Sequence, residues 1–327
     1  MISKPIQIVQ GFLLNYFSEF FKTNDPARLI PAAAETGFVK SYDGTPIYWE
    51  RHGPDPSETE ATPMVFCYGL VCSMNQWRHQ VEHYAQNHPC LLFDYRGHHQ
   101  SGYPSDARAM NFSALAKDAA AAIHRQGFGR PAHIWGHSMG VNVALELAIA
   151  EPELCKSLVL CCGTHLSPFQ KMFGTDFLEK IVAPMLKLYP QNPQIFSKVW
   201  DILMLRPEPV ELLARLAGFN MGAVSRKDVQ SYARAATSVP AQTFFPLLAE
   251  LARGHTKGIL KKVKQRTYVI AGSQDRVTPP DNQKLMAELL PNSKYIEIPT
   301  GSHNVQLDFG EYIDLKIEEL WRLENLW

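Results

Sequence analysis

Short apolar runs alternate with amphipathic segments along most of this chain. The runs at 133–135, 157–162, 266–272 and 294–298 have the length and the residue types of buried strands. The segments that follow two of them, such as 141–148, have helix-forming residues at helical spacing. The pattern therefore predicts strands that alternate with helices, and it draws attention to the loops where strands end.

One such strand end carries the sequence Gly136-His137-Ser138-Met139-Gly140. A G-x-S-x-G motif between a strand and a helix is typical of a nucleophile elbow, a sharp turn that exposes the serine hydroxyl. Gly136 and Gly140 are small enough to let strand and helix approach each other. The helix N-terminus also directs backbone N–H groups at negative charge that develops near the serine. We predict that Ser138 is a nucleophile.

A serine hydroxyl is a weak nucleophile unless a base takes its proton and a third group orients that base. Asp275 lies in a turn-rich loop just after the strand predicted at 266–272, and His303 lies just after the strand at 294–298. Ser138, Asp275 and His303 thus each follow the carboxyl end of a successive strand. Ligands and reacting groups of open α/β sheets gather at that edge.

With these motifs the chain resembles the α/β-hydrolase superfamily. The resemblance rests on the segments 136–140, 271–277 and 301–303, and it covers roughly residues 37–165 and 245–325. It implies an α/β fold with a mostly parallel sheet flanked by helices, and it implies the family's triad order of Ser, Asp and His.

Two further segments extend the resemblance. The segment 63–70 is similar to the strand and loop that supply one oxyanion donor, and the segment 94–102 is similar to the family's D-x-R-G-x-G-x-S loop. Tyr68 stands where a histidine usually precedes the glycine, and His99 stands where a glycine is usual.

The resemblance implies a role for each residue of the site. Ser138 attacks an acyl carbonyl, His303 removes the serine proton, and Asp275 orients the imidazole. The backbone N–H groups of Leu70 and Met139 are expected to hold the oxyanion. This chemistry needs neither a cofactor nor a metal ion.

Further side chains near these motifs have two interpretations each. We expect Tyr68, Cys72, His98 and His99 to include substrate contacts, because their loops border the predicted site, although Cys72 also suits an apolar core. His137 lies inside the elbow and is interpreted as a residue that packs or bonds locally rather than as a second base.

The first 35 residues lie outside the resemblance. Apolar residues recur at spacings of three and four within residues 1–22, which predicts an amphipathic helix. Polar interruptions make it neither a signal peptide nor a bilayer span. Its apolar face either docks on the enzyme or a second subunit, or it contacts a membrane surface or covers the substrate entrance.

About a hundred residues separate the strand at 157–162 from the strand at 266–272, too many for a simple crossover. An inserted helical cap at 165–245 explains them, with helices predicted at 176–188, 194–205, 209–218 and 227–237. The catalytic core then comprises 36–164 and 246–327. Aromatic and methionine side chains of the cap are expected to form its core and to line an apolar acyl pocket.

Composition agrees with an ordinary enzyme. The chain has 46% hydrophobic residues and a formal net charge of zero, so charge gives no indication of nucleic-acid binding. Its six cysteines lie mostly in apolar runs and are interpreted as buried free thiols, which favours a cytoplasmic location, with peripheral membrane contact left open.

The sequence thus predicts a serine hydrolase that cleaves a lipophilic carboxylic ester, as a carboxylesterase or small acylglycerol lipase. A C–C bond hydrolase or a lactonase could use the same three residues. A non-catalytic receptor with a hydrolase-like pocket belongs to a different class and stays open, because fold alone does not decide function.

Overall fold

A computed structural model of the chain describes residues 28–254 and 257–327. The helix predicted within residues 1–22 lies outside the described residues. Within the described residues, eight strands form one sheet, and they are β1 Glu35–Lys40, β2 Pro46–His52, β3 Met64–Cys67, β4 Cys90–Phe93, β5 Ala132–His137, β6 Cys155–Cys161, β7 Arg266–Gly272 and β8 Ser293–Ile298.

The strands lie in the order β1-β2-β4-β3-β5-β6-β7-β8. β2 is antiparallel to β1 and to β4, and all the other neighbours are parallel. The carboxyl ends of β3 to β8 therefore meet at one edge of the sheet. The predicted α/β fold with a mostly parallel sheet is confirmed.

The helices of the described residues cover both faces and the carboxyl edge of this sheet. In chain order they are α1 Arg78–Tyr84, α2 Phe112–Gln126, α3 Met139–Ala150, α4 Phe177–Leu188, α5 Pro193–Leu203, α6 Pro207–Ala217, α7 Arg226–Thr237, α8 Ala241–Arg253, α9 Lys257–Leu260, α10 Pro280–Leu289, α11 Val305–Asp308 and α12 Gly310–Leu323.

The central strands of the sheet are deeply buried. Every residue of β3, β4 and β5 is buried, as expected for parallel strands covered by helices on both faces. α3 follows β5 directly, and Val141, Val143 and Leu145 are fully buried. The turn between β5 and α3 is thus anchored on both sides by core packing.

Helices α4 to α9 lie between β6 and β7, and four of them match the helices predicted for the cap within a few residues. Trp200 of α5 stacks on Phe244 of α8 with ring centroids 4.0 Å apart, and its indole N–H donates to the carbonyl oxygen of Val239 at 2.8 Å. This contact holds α5 on α8. The proposed boundaries of the cap at 165 and 245 remain predictions.

Three of these helices carry an apolar stripe that faces outward. Phe177, at 61% exposure, is one of the aromatic side chains predicted for the cap core or pocket that lie at the surface instead. Within residues 28–254 and 257–327, one side of each of these helices has nothing to pack against. The exposed stripes comprise Phe177, Ile181 and Leu188 of α4, Ile195, Val199 and Ile202 of α5, and Leu212, Leu213 and Leu216 of α6.

Within residues 28–254 and 257–327, none of the helices has the length and apolar character needed to cross a bilayer. The six cysteines all fall in this part of the chain, and each is a buried free thiol.

Candidate active site

Ser138 occupies the turn between β5 and α3. Its backbone has φ 54° and ψ −117°, which residues other than glycine rarely adopt, and its N–H donates to the carbonyl oxygen of Cys161 at 3.0 Å. A Cβ on Gly136 would lie 2.7 Å from the carbonyl oxygen of Gly140, and a Cβ on Gly140 would collide with the carbonyl oxygen of Cys67. Both positions need glycine because strand and helix backbones meet there.

Asp275 lies in the turn after β7, and its carboxylate accepts hydrogen bonds on both oxygens. Oδ1 accepts from the backbone N–H groups of Val277 and Thr278, each at 2.9 Å, and Oδ2 accepts from the Thr278 hydroxyl at 2.7 Å and from Gln283 Nε2 at 3.1 Å. Burial alone would raise the pKa of Asp275, but His303 and these donors hold it below its usual value. The group is therefore a buried, ionised carboxylate at neutral pH.

His303 follows β8 and lies between the other two side chains. Its Nδ1 is 3.0 Å from Asp275 Oδ2 and 3.1 Å from Oδ1, and its Nε2 is 3.1 Å from Ser138 Oγ. Because the carboxylate can only accept, Nδ1 carries the proton and Nε2 faces the serine as an acceptor. The structure thus brings Ser138, Asp275 and His303 together within hydrogen-bonding distance.

The backbone after β3 runs beside Ser138. A Cβ on Gly69 would lie 3.1 Å from Ser138 Cβ, and Leu70, the next residue, lines the same cavity as Ser138. The Leu70 N–H forms no hydrogen bond with any residue that the structure describes. Met139 is the first residue of α3, where the N–H has no acceptor within the helix. Beside the serine, the N–H groups of both residues are therefore without an acceptor among the residues that the structure describes.

Ser138 and His303 open into a cavity of about 170 Å³. Its wall is mostly apolar and comes from the core and from the helices between β6 and β7. The lining includes Val71, Cys72, Phe169, Met172, Tyr232, Leu248, Leu251 and Val277, with Asn142, Thr164, Thr278 and Asn304 as polar members. Such a surface suits an apolar group of a small molecule.

The predicted substrate contacts divide into two groups. Cys72 lines the cavity, and burial raises the pKa of its thiol to about 12, so it is present as a thiol and not as a thiolate. Tyr68 is buried elsewhere: its hydroxyl donates to Asp94 Oδ1 at 3.2 Å and accepts from the Tyr95 N–H at 3.2 Å. Tyr68, which stands where a histidine is usual, therefore fixes the loop that follows β4 and does not line the cavity.

His98 and His99 also lie outside the described lining of the cavity and instead hold the loop after β3. His98 Nε2 is 2.8 Å from the carbonyl oxygen of Leu70, and His99 Nε2 is 2.8 Å from that of Cys72. Burial lowers the pKa of His98 to about 4, so its imidazole is neutral. Both histidines act on the site through the backbone that carries the predicted oxyanion donor.

The structure adds contacts that the sequence did not reveal. His137 Nε2 lies 2.8 Å from the carbonyl oxygen of His303, and burial lowers the pKa of His137 to about 3, so the neutral ring donates this hydrogen bond. Gln283 reaches Asp275 from α10. Neither contact has a local sequence signal, because the partners are far apart in the chain. Thr278 could have been found, because Asp commonly accepts from N–H groups two and three residues later.

The loop of His303 is also bound to the end of α6. Asn304 Nδ2 donates to the carbonyl oxygen of Gly218 at 2.6 Å, and the Asn220 N–H donates to Asp308 Oδ1 at 3.2 Å. The helical layer over the site and the histidine loop are therefore connected directly. Over the described parts of the chain, no group of three or more His, Cys, Asp or Glu side chains is arranged to hold a metal ion.

A family model described as alpha/beta hydrolase fold matches residues 62–309. A protein of Azorhizobium caulinodans provisionally named carbamate hydrolase RutD is 24% identical over 258 residues, which is 79% of this chain and 88% of that protein.

Solved structures show the same architecture. An esterase from Thermogutta terrifontis superposes with a TM-score of 0.67 at 18% identity, covering 88% of this chain and 98% of the esterase. The enol-lactonase from Burkholderia xenovorans gives a TM-score of 0.67 at 17% identity, covering 86% of this chain and 98% of that enzyme. At these identities the likeness concerns the fold.

Proposed function

The chain belongs to the α/β-hydrolase family, and on that premise we propose that it is a serine hydrolase that cleaves carboxylic esters through an acyl-enzyme. The observation that carries the proposal is the continuous hydrogen-bonded series from Ser138 Oγ through the His303 ring to the Asp275 carboxylate. The Asp275 carboxylate is ionised and can only accept, so it orients His303 with Nε2 towards the serine.

In the first half of the reaction Ser138 Oγ attacks the ester carbonyl carbon while His303 Nε2 takes the hydroxyl proton. The imidazolium that forms lies 3.0 Å from the ionised Asp275 carboxylate, which stabilises it. The proton then passes from Nε2 to the leaving alkoxide, which departs as an alcohol and leaves an acyl group on the serine.

The negative oxygen of the tetrahedral intermediate needs donors that are in place beforehand. We assign this role to the N–H groups of Leu70 and Met139. The hydrogen bonds from His98 and His99 to the carbonyl groups of Leu70 and Cys72 fix the loop that presents the first of them. Both donors are backbone groups, so the replacement of the usual histidine by Tyr68 leaves them in place.

In the second half a water molecule attacks the acyl carbon and His303 Nε2 takes its proton. The same donors hold the second oxyanion, Ser138 regains its proton from His303, and the carboxylic acid is released. The net reaction is an ester plus water giving an acid plus an alcohol.

The cavity limits the substrate. Its volume of about 170 Å³ is close to the ~150 Å³ of an engineered apolar cavity that binds benzene, a molecule of six carbon atoms. We therefore propose that the preferred acyl group is mostly apolar and has about six non-hydrogen atoms.

The test is hydrolysis of p-nitrophenyl esters with acyl chains of two to sixteen carbons by the wild-type protein and by Ser138→Ala. We expect an optimum near four to six carbons and a loss of several orders of magnitude in kcat in the variant. Labelling by a fluorophosphonate probe should occur at Ser138. A variant as active as the wild type would exclude the mechanism, and a folded protein that the probe does not label would favour a non-catalytic receptor.

A further inference from the structure

Asn142 is an unusual residue for its position. It lies in α3 among apolar and small side chains, is 2% exposed, and lines the cavity that contains Ser138. Its side-chain amide forms no hydrogen bond with any residue in the described part of the chain. Asparagine also favours a helix interior less than most of the residues around it.

The two amide donors and the carbonyl oxygen of Asn142 are not enclosed by protein groups, so the cavity is where they can meet a partner. Ligand pockets commonly place a few such polar groups in an apolar wall to orient the ligand. The cavity around Asn142 has that composition. The amide is therefore positioned to meet a polar atom that the substrate brings.

The place of Asn142 in the fold limits where that atom lies. Asn142 belongs to the first turn of α3, and both Asn142 and Ser138 line the same cavity. Helix side chains lean towards the N-terminus of their helix, which directs the amide of Asn142 towards the serine end of the cavity. The polar atom that the amide meets therefore belongs to the part of the substrate that fills the cavity.

We propose that the Asn142 amide determines acyl specificity by donating a hydrogen bond to a substrate oxygen in the cavity, so that preferred esters carry a keto or hydroxyl oxygen on the acyl chain. This inference rests on the proposed function, and it narrows the substrate class from apolar acyl groups to those with one further oxygen. A 4-oxopentanoyl group has seven non-hydrogen atoms, close to the number that the cavity volume indicates.

Tyr232 is the rival for the same role. It lines the cavity from α7, and its hydroxyl forms no hydrogen bond with the residues that the structure describes. Tyr232→Phe, which removes only the hydroxyl, therefore serves as the matched control.

The kinetic test compares the p-nitrophenyl esters of 4-oxopentanoic and 4-methylpentanoic acid, which differ only in an oxygen or a methyl group at the fourth carbon. The measured quantity is the ratio of the two kcat/KM values, which does not depend on the amount of folded protein. We expect the wild type to favour the oxo ester by roughly five- to tenfold, the value of one neutral hydrogen bond. Asn142→Leu should bring the ratio close to one, and Tyr232→Phe should keep the wild-type ratio.

An unchanged ratio in Asn142→Leu, or a ratio that falls only in Tyr232→Phe, overturns the inference while the proposed function stands.

A second measurement does not depend on turnover. Ser138→Ala is titrated calorimetrically with the ethyl esters of the two acids, with and without Asn142→Leu. If the wild type hydrolyses neither ester, the proposed function fails. If Ser138→Ala binds the oxo ester more tightly than the methyl ester, and the added Asn142→Leu substitution abolishes that difference, the subsite is still supported. Equal affinities of Ser138→Ala for the two esters refute it.

Discussion

Replacing Asp275 by asparagine tests directly how the site determines which ring nitrogen of His303 carries the proton. In the wild type five donors converge on this carboxylate: two backbone N–H groups, the Thr278 hydroxyl, the Gln283 amide and His303 Nδ1. An asparagine oxygen that accepts from the two backbone N–H groups leaves its NH₂ group facing His303. His303 then accepts at Nδ1 and carries its proton on Nε2, where it points at Ser138 and cannot act as a base.

The magnitude follows from two contributions. Loss of a hydrogen bond to a charged group costs about 1.5–3 kcal/mol. Loss of the attraction between imidazolium and carboxylate, whose charge centres are roughly 4 Å apart, costs about 4 kcal/mol at an effective dielectric constant of 20. At 1.36 kcal/mol per factor of ten the sum corresponds to a loss of roughly four to five orders of magnitude in kcat/KM.

The assay is kcat/KM on p-nitrophenyl butyrate at pH 7–9, with circular dichroism as the measure of folding. Asp281→Asn is the matched control, because it removes an exposed carboxylate from the same region and should change the rate by less than about twofold. An Asp275→Asn enzyme that is folded and within tenfold of the wild type would refute the tautomer argument.

Three further predictions concern buried side chains. Asp118→Ala removes one of two carboxylates that pair with the fully buried Arg96, the one at 2.6 Å, and leaves Asp43 at 2.8 Å, so it should lower the free energy of unfolding in urea by up to about 3 kcal/mol. His137→Phe removes the donor to the His303 carbonyl and should lower kcat/KM up to about tenfold on a short-chain ester. Burial alone would raise the pKa of Glu50, but hydrogen bonds from its neighbours lower it to about 2. Glu50 therefore stabilises the fold above pH 4.5, and the stability difference between wild type and Glu50→Gln should shrink as the pH falls towards 2.

The sequence predicted the parts of the site that depend on local rules. The elbow could be located because β5, the serine and α3 are consecutive, and because close packing of strand and helix requires glycine at 136 and 140. Asp275 and His303 could be located because each directly follows a strand, and parallel strands bring their ends to one edge of the sheet. No long-range contact had to be known for these assignments.

The sequence could not predict contacts whose two partners are distant in the chain. His98 and His99 looked like substrate contacts because their loop borders the site, but the structure turns them towards carbonyl groups of the loop after β3. The outward apolar stripes of α4 to α6 have the same helical spacing as a buried face. Spacing alone therefore did not show that Phe177 is exposed.

The histidines around Ser138 also determine the expected pH profile. Burial lowers the pKa of His137 to about 3 and that of His98 to about 4, so both rings are neutral above about pH 5 and serve as fixed hydrogen-bond donors. The titratable groups that act on these rings, His303 and Asp275 on His137 and His99 on His98, leave burial as the largest cause of each shift. The pH profile of log kcat/KM between pH 5 and neutrality should therefore keep the wild-type shape in His137→Phe. A changed shape in that variant would show that His137 titrates in this range and that its role as a neutral hydrogen-bond donor is wrong.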